Sequence, residues 1–202
     1  MNRKEFALLL GFMVAAAFSL CCESITAADN IKSSTIRLHI IANSDTETDQ
    51  NIKLAVRDKI LEMEELLPDA DDSYNEAIEL IKENTEEIAM EINDCLQRKN
   101  VPYTAKCAVE RFYFDTTEYD GFALPQGEYA ALTVRLGQAE GKNWWCVAYP
   151  ALCSQSCGEF VLENSDDFIK TDKITARFKI VEIYENIKHH FVHRADKYEN
   201  LP

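Results

Sequence analysis

The sequence predicts an α+β fold: a single domain with a mostly antiparallel sheet of about four strands flanked by three helices. Three observations carry that expectation. Apolar residues alternate over Ile36–Asn43, Tyr103–Phe114, Tyr129–Leu136 and Asn143–Tyr149, which is the period of a strand with one covered face. Between the first and second of these segments, and again after the last, apolar residues recur at spacings of three and four, the period of an amphipathic helix. At 202 residues and 47% hydrophobic, the chain can bury one core and little more.

The first 28 residues stand apart from that core. Arg3 and Lys4 give a basic start, Phe6 to Leu20 is an uncharged apolar run, and Thr26-Ala27-Ala28 offers small residues for cleavage. This is the layout of a secretory signal peptide over residues 1–28, leaving a domain over 29–193 and a C-terminal tail over 194–202. As a helix, Phe6–Leu20 rises only ~22 Å against a hydrocarbon core of ~30 Å. An uncleaved anchor would have to stretch to Cys22. Lipidation at Cys21 or Cys22 fits poorly, because Leu20 or Cys21 would precede the modified residue where a small one is wanted. The leader holds two basic and two acidic residues, so the mature chain keeps the net charge of −14. Such an acidic chain without a basic cluster argues against nucleic acid as a partner.

Within the domain, Ile36, Leu38, Ile40 and Ala42 form the core face of the first strand. Its other face is Arg37, His39, Ile41 and Asn43, a line of polar groups unusual for a strand. Ser44 with Glu47 makes the Ser-x-x-Glu pattern of a capping box and starts a helix running from Thr46 to Leu67. Ile52, Val56, Ile60, Met63 and Leu67 are its stripe, and Asp45, Glu47 and Asp49 suit the dipole of its first turn. Pro68 ends it. Ser73 with Glu76 makes a second capping box, and the helix it opens carries Tyr74, Ala77, Ile78, Ile81, Ile88, Ala89, Ile92, Cys95 and Leu96 on one face before Asn100 and Pro102 stop it.

The period then changes to two. Ala105, Cys107 and Val109 share one side of the next strand, which ends in the aromatic cluster Phe112-Tyr113-Phe114, read as core packing. Asp115–Gly127 holds the turn-forming groups Asp120-Gly121 and Pro125-Gln126-Gly127. Ala130, Leu132, Val134 and Leu136 point inward from the strand after it. With Asn143–Tyr149, two successive hairpins make an antiparallel meander. A last helical period runs from Ile174 to Val192.

Five cysteines follow the leader, an odd number that leaves at least one thiol outside any intramolecular bond. Cys146 and Cys153 flank Tyr149-Pro150 and are the preferred disulfide, a closure contributing about 2.5 kcal/mol in the chain-entropy model. No Cys-x-x-Cys pair and no zinc-finger spacing occurs, so neither a metal nor another cofactor is expected. His189, His190 and His193 read as a solvated basic helix end rather than as ligands.

The segments Arg37-Leu38-His39-Ile40-Ile41-Ala42-Asn43-Ser44-Asp45 and Lys53-x-x-Val56-Arg57-Asp58 resemble the stage II sporulation protein R family of endospore-forming Firmicutes. Leu124-Pro125-x-Gly127-x-Tyr129-x-Ala131-Leu132 and Gly141-Lys142-Asn143-Trp144-Trp145-Cys146 do so as well, in the family's order, over roughly residues 36–158. One departure stands after Cys146, where the family usually has two prolines before a Leu-Cys and this chain has only Pro150. The resemblance implies a secreted intercellular signal. Made in the forespore, it reaches the space between forespore and mother-cell membranes. There it activates a membrane-embedded aspartic protease that processes pro-sigma-E. Export signal, compact acidic domain and the lack of a nucleophile–base–orienter set suit a protein ligand that is not an enzyme and takes no small-molecule substrate.

Candidate contact residues are Arg37, His39, Asn43 and Asp45 from the first unit, and Lys142, Asn143, Trp144 and Trp145 from the second. Of the two tryptophans, alternation turns one ring toward the core and the other outward. The competing reading is a hydrolase or an envelope-binding module built on the Arg37/His39/Asn43/Asp45 cluster. The burial of His39 separates a buried polar network from a surface that a partner reads.

Overall fold

The computed structural model describes residues 2–69, 72–119, 122–150, 179–188 and 190. Cys153, Cys157, His189, His193 and the 194–202 tail lie outside these residues. The elements are α1 (Arg3–Ser33), β1 (Ile36–Ile41), α2 (Glu47–Leu61), a 3-10 turn (Glu64–Leu66), α3 (Tyr74–Arg98), β2 (Ala105–Phe114), β3 (Thr117–Tyr119), β4 (Phe122–Leu124), β5 (Gly127–Leu136) and β6 (Asn143–Tyr149). A further helix covers 179–188. The class is the α+β one expected, and the packing forms two compact units. One unit contains residues 33–112 and the chain from 128 through β6; the other contains α1 up to Lys32, the chain over 113–127 and the helix at 179–188.

The first of these units is built on a four-stranded sheet of order β2-β5-β1-β6. β1 runs parallel to β5, with Leu38 opposite Leu132, and antiparallel to β6, with Leu38 opposite Cys146. The sheet is therefore mixed, though mostly antiparallel. The expected meander does not form: β1 inserts between β5 and β6, so the last two strands are not neighbours. The insertion has a physical cause. Ile36–Ile40 of β1 is buried on both faces, and a strand of that kind belongs inside a sheet, with partners on both edges.

One face of the sheet carries Ile36, Leu38, Ile40, Leu132, Val134 and Leu136, packed in a single core with Val56 and Ile60 of α2 and with Ala77, Ile81, Ile88, Ile92 and Leu96 of α3. Those helical positions belong to the predicted stripes, and Ile52, Leu67, Tyr74 and Ile78 of the same stripes are partly buried against them. The Ser73–Glu76 capping box is present, with both reciprocal bonds made. At the other end of α3, Asn100 takes a left-handed backbone (φ 55°). The Val101 N–H reaches the Leu96 carbonyl at 3.0 Å and the Asn100 N–H reaches that of Gln97 at 2.9 Å, which is a Schellman closure.

Two local expectations change. α2 starts at Glu47 with Thr46 as its N-cap, whose hydroxyl accepts from the Asp49 N–H; the Ser44–Glu47 capping box does not form. The helix also ends at Leu61 and gives way to the 3-10 turn, so only Ile52, Val56 and Ile60 of the stripe lie on α2, and Met63 and Leu67 flank the turn. In the other unit, the Asp115–Gly127 stretch read as turns contains the short antiparallel pair β3–β4, Thr117 opposite Leu124.

The core predicts its own energetics. Ile92→Ala removes a fully covered side chain and is expected to lower the unfolding free energy by about 2–5 kcal/mol. Met90→Ala, on the exposed side of the same helix, is expected to change it by less than about 0.5 kcal/mol. Urea titration of the two variants beside the parent checks both; equal losses would mean that α3 packs on a different face.

Candidate functional site

Two of the four family-like segments, Arg37–Asp45 and Gly141–Cys146, meet where β1 ends and β6 begins. Leaving β1, the chain runs Ala42-Asn43-Ser44-Asp45, and the turn before β6 lies against it. The Gly141 N–H donates to the Ala42 carbonyl at 2.9 Å and the Glu140 N–H to that of Asn43 at 3.2 Å. The Lys142 N–H donates to Asp45 Oδ1 at 2.7 Å, and the Gln138 N–H to Asn43 Oδ1 at 2.9 Å. Approach this close requires glycine at 141. A Cβ there would stand 2.3 Å from the Ser44 carbonyl oxygen and 2.9 Å from the Ala42 Cβ.

Asp49, in the first turn of α2, holds the junction from below. Its carboxylate accepts from Asn43 Nδ2 at 2.8 Å, from the Ser44 hydroxyl, and from the Tyr103 hydroxyl at 2.6 Å. Burial pushes this carboxyl up, but the hydrogen bonds from Ser44, Tyr103, Asn43 and Thr46 outweigh it and hold Asp49 below the usual carboxylate range. Burial, then the carboxylate beside it, push the Tyr103 phenol up in turn. By sequence position alone, Asp49 is a partner for the helix dipole. The available signal was its place at i, i+4 and i+8 with Lys53 and Arg57, a polar stripe along α2 beside the apolar one. Each member of that stripe reaches a family-like segment. Lys53 Nζ donates to the Lys142 carbonyl at 3.0 Å and to Gln50 Oε1 at 2.6 Å. The Arg57 guanidinium lies 5.4 Å from the centre of the Trp144 ring.

The polar line of β1 lies on the sheet face away from α2 and α3. Arg37 and His39 have 0% of their surface exposed, so neither forms the partner-facing surface expected of them. Arg37 Nε donates to the Cys146 carbonyl at 3.2 Å, and the guanidinium stands 5.3 Å from the centre of the Tyr129 ring. The His39 ring stacks on Trp145, centroids 3.9 Å apart, and meets Phe112 edge-on at 4.5 Å. Its Nε2 lies 3.0 Å from Asn143 Oδ1, the geometry of an Nε2–H donating to the amide oxygen. Burial lowers the imidazole to about 4, with Arg135 and Arg37 adding to the effect, and the bond to Asn143 opposes it only partly. At neutral pH His39 is an uncharged packing group.

The predicted site therefore divides by accessibility. Asp45, Lys142 and Asn143 are exposed, Asn43, Trp144 and Trp145 are half-buried, and Arg37 and His39 lie beneath. Trp144 packs on the helical side against the main core and Trp145 on the His39 side, so neither ring projects bare. Among the described residues no group of three or more His, Cys, Asp or Glu side chains is placed to hold a metal ion. Cys95 and Cys107 are free thiols, and burial pushes Cys107 up to about 12, which keeps it protonated and unreactive. Cys153 is not described, so the expected Cys146–Cys153 pairing has no geometry to report.

The family model of stage II sporulation protein R (spore_II_R) matches residues 32–159. The chain belongs to the stage II sporulation protein R family. It is also 33% identical over 168 residues to stage II sporulation protein R of Bacillus subtilis (strain 168), covering 80% of this chain and 73% of that protein. No solved structure matches it. The family is one of sporulation proteins, and the relative's name carries no enzymatic activity. The spore_II_R match takes in all of β1, α2, α3 and β6, and so both sides of the Asp49 junction.

Two outcomes are expected. Tyr103→Phe removes one bond to a charged acceptor and should cost about 1.5–3 kcal/mol; Asp49→Ala strands three donors and should cost more than that. The double variant should cost no more than Asp49→Ala alone, which a denaturation cycle reads directly. The second outcome concerns acid. His39 falls from its ordinary 6.5 to about 4 on folding, so between those values the unfolded chain binds the proton more tightly. Its contribution to stability is complete above about pH 6.5 and is lost as the pH drops toward 4. Urea midpoints measured across that window should fall more steeply for the parent than for His39→Gln; parallel curves would show that His39 does not titrate in this way.

Proposed function

We propose that this chain is an exported sporulation signal that switches on a membrane-embedded aspartic protease by contact on the protease's extracytoplasmic side, and that the protease then processes pro-sigma-E. Membership in the stage II sporulation protein R family is the observation that carries this reading. The apolar N-terminal helix supports export, being long and apolar enough to engage a membrane. In this reading the chain acts in the space between the forespore and mother-cell membranes.

The contact surface is Asp45, Lys142 and Asn143 with the edges of Asn43, Trp144 and Trp145. Arg37 and His39 serve it from underneath by fixing the β6 backbone and the Trp145 ring. Such a patch has the make-up of a recognition site: aromatic area held rigid, ringed by exposed polar groups. A Cys146–Cys153 disulfide belongs to the same proposal, as a clamp on the end of β6.

Reconstitution tests it. The purified chain, added to membranes that carry the protease and its precursor substrate, should trigger precursor cleavage. Lys142→Glu reverses a charge whose side chain is exposed, and should lower that response about tenfold, the equivalent of 1.4 kcal/mol, without moving the urea midpoint. Binding to the membranes with no change in cleavage would replace the activator with a scaffold.

A further inference from the structure

The small residues Thr26-Ala27-Ala28 lie inside α1, which continues without a break to Ser33. The end of this helix is packed. Ser24, Ala28, Ile31 and Lys32 are buried, at the spacing of one helical stripe, and Ala28 is 0% exposed. Lys32 Nζ forms an ion pair with Glu185, a buried carboxylate of the helix at 179–188, and a second with Asp29 at 2.8 Å. Its aliphatic stem runs over Gly127, where a Cβ would stand 2.6 Å from Lys32 Cδ. All these residues belong to the same compact unit.

The beginning of the helix is the opposite. Phe6, Leu9, Phe12, Met13, Phe18 and Leu20 are exposed, and no charge interrupts the seventeen residues from Phe6 to Cys22. As a helix that stretch rises about 25 Å, at the short end of what crosses a bilayer. Arg3 and Lys4 stand at the end that stays on the side of synthesis.

We infer that α1 is retained: Phe6–Cys22 anchors the chain in the acyl interior of the membrane it is exported across, and residues 24–33 are the first element of the folded unit outside. Cleavage after Ala28 would delete Ser24 and Ala28 from a packed stripe and leave a new ammonium at Asp29, one turn from the Lys32 cation. A protease reaches a segment through its opened form, and the packing of residues 24–32 keeps that form scarce. The inference rests on the export reading proposed above, and it makes the signal a tethered one.

The full chain with a C-terminal tag, produced in a bacterium that exports it, tests this by three readouts. Expected are an intact mass that includes α1, a pellet that alkaline carbonate does not extract, and a tag digested by protease added outside the cell. A tag digested from outside, on a chain whose N-terminus maps between residues 24 and 33 and which carbonate releases, would overturn retention while leaving export standing. A tag protected from outside protease would overturn export and the anchored signal with it.

Discussion

A carboxylate that is covered by protein must be met by hydrogen bonds, and among the described residues of the unit built on the four-stranded sheet that requirement falls on Asp49. Its donors come from the loop after β1, through Asn43 and Ser44, and from the connection between α3 and β2, through Tyr103. Meeting the requirement fixes two chain segments against the start of α2. Once α2 is held there, Lys53 and Arg57 one and two turns on can only face the turn before β6 and the Trp144 ring. The exposed patch of Asp45, Lys142 and Asn143 is thus anchored on a buried charge, and the Lys142–Asp45 and His39–Asn143 bonds hold it in addition.

The opposite face of the sheet solves a different problem. Arg37 and His39 sit where a strand would ordinarily carry apolar residues, and both are accommodated by aromatic rings and by β6: a carbonyl for the guanidinium, an amide oxygen for the imidazole. Keeping the imidazole neutral is what makes its complete burial affordable. The resemblance of this line to an active site came from residue types alone. Both side chains are buried and make contact with the strand that presents Asn143, Trp144 and Trp145.

Period and capping chemistry made much of this legible. The apolar stripe of α3, its Ser73–Glu76 start and its Asn100 end follow from local rules, because each depends on residues within one or two turns. The bounds of β6 and the inward set Leu132, Val134 and Leu136 follow for the same reason. What local rules missed is what depends on remote partners. The cap of α2 is Thr46 rather than Ser44, whose hydroxyl goes to Asp49, and Asp49 is oriented by Tyr103 from far along the chain. The meander failed because adjacency in sequence carries no information about a third strand that needs both edges filled. In the site, residue types identified the right segments but could not rank them by depth. Alternation placed Arg37 and His39 on the face away from the helices, and only the packing of Trp145, Tyr129 and Phe112 over that face shows it to be interior.

The position of β1 has a consequence for how the molecule comes into being. It is the first strand to leave the ribosome and the centre of the finished sheet, yet Ile36 must wait for Ala130 on one edge and Tyr149 on the other. Until both emerge, an apolar strand with two open edges is exposed, a template for wrong pairings, and the long loops to be closed make correct pairing slow. The topology is that of a sheet that closes late, once β6 has been made.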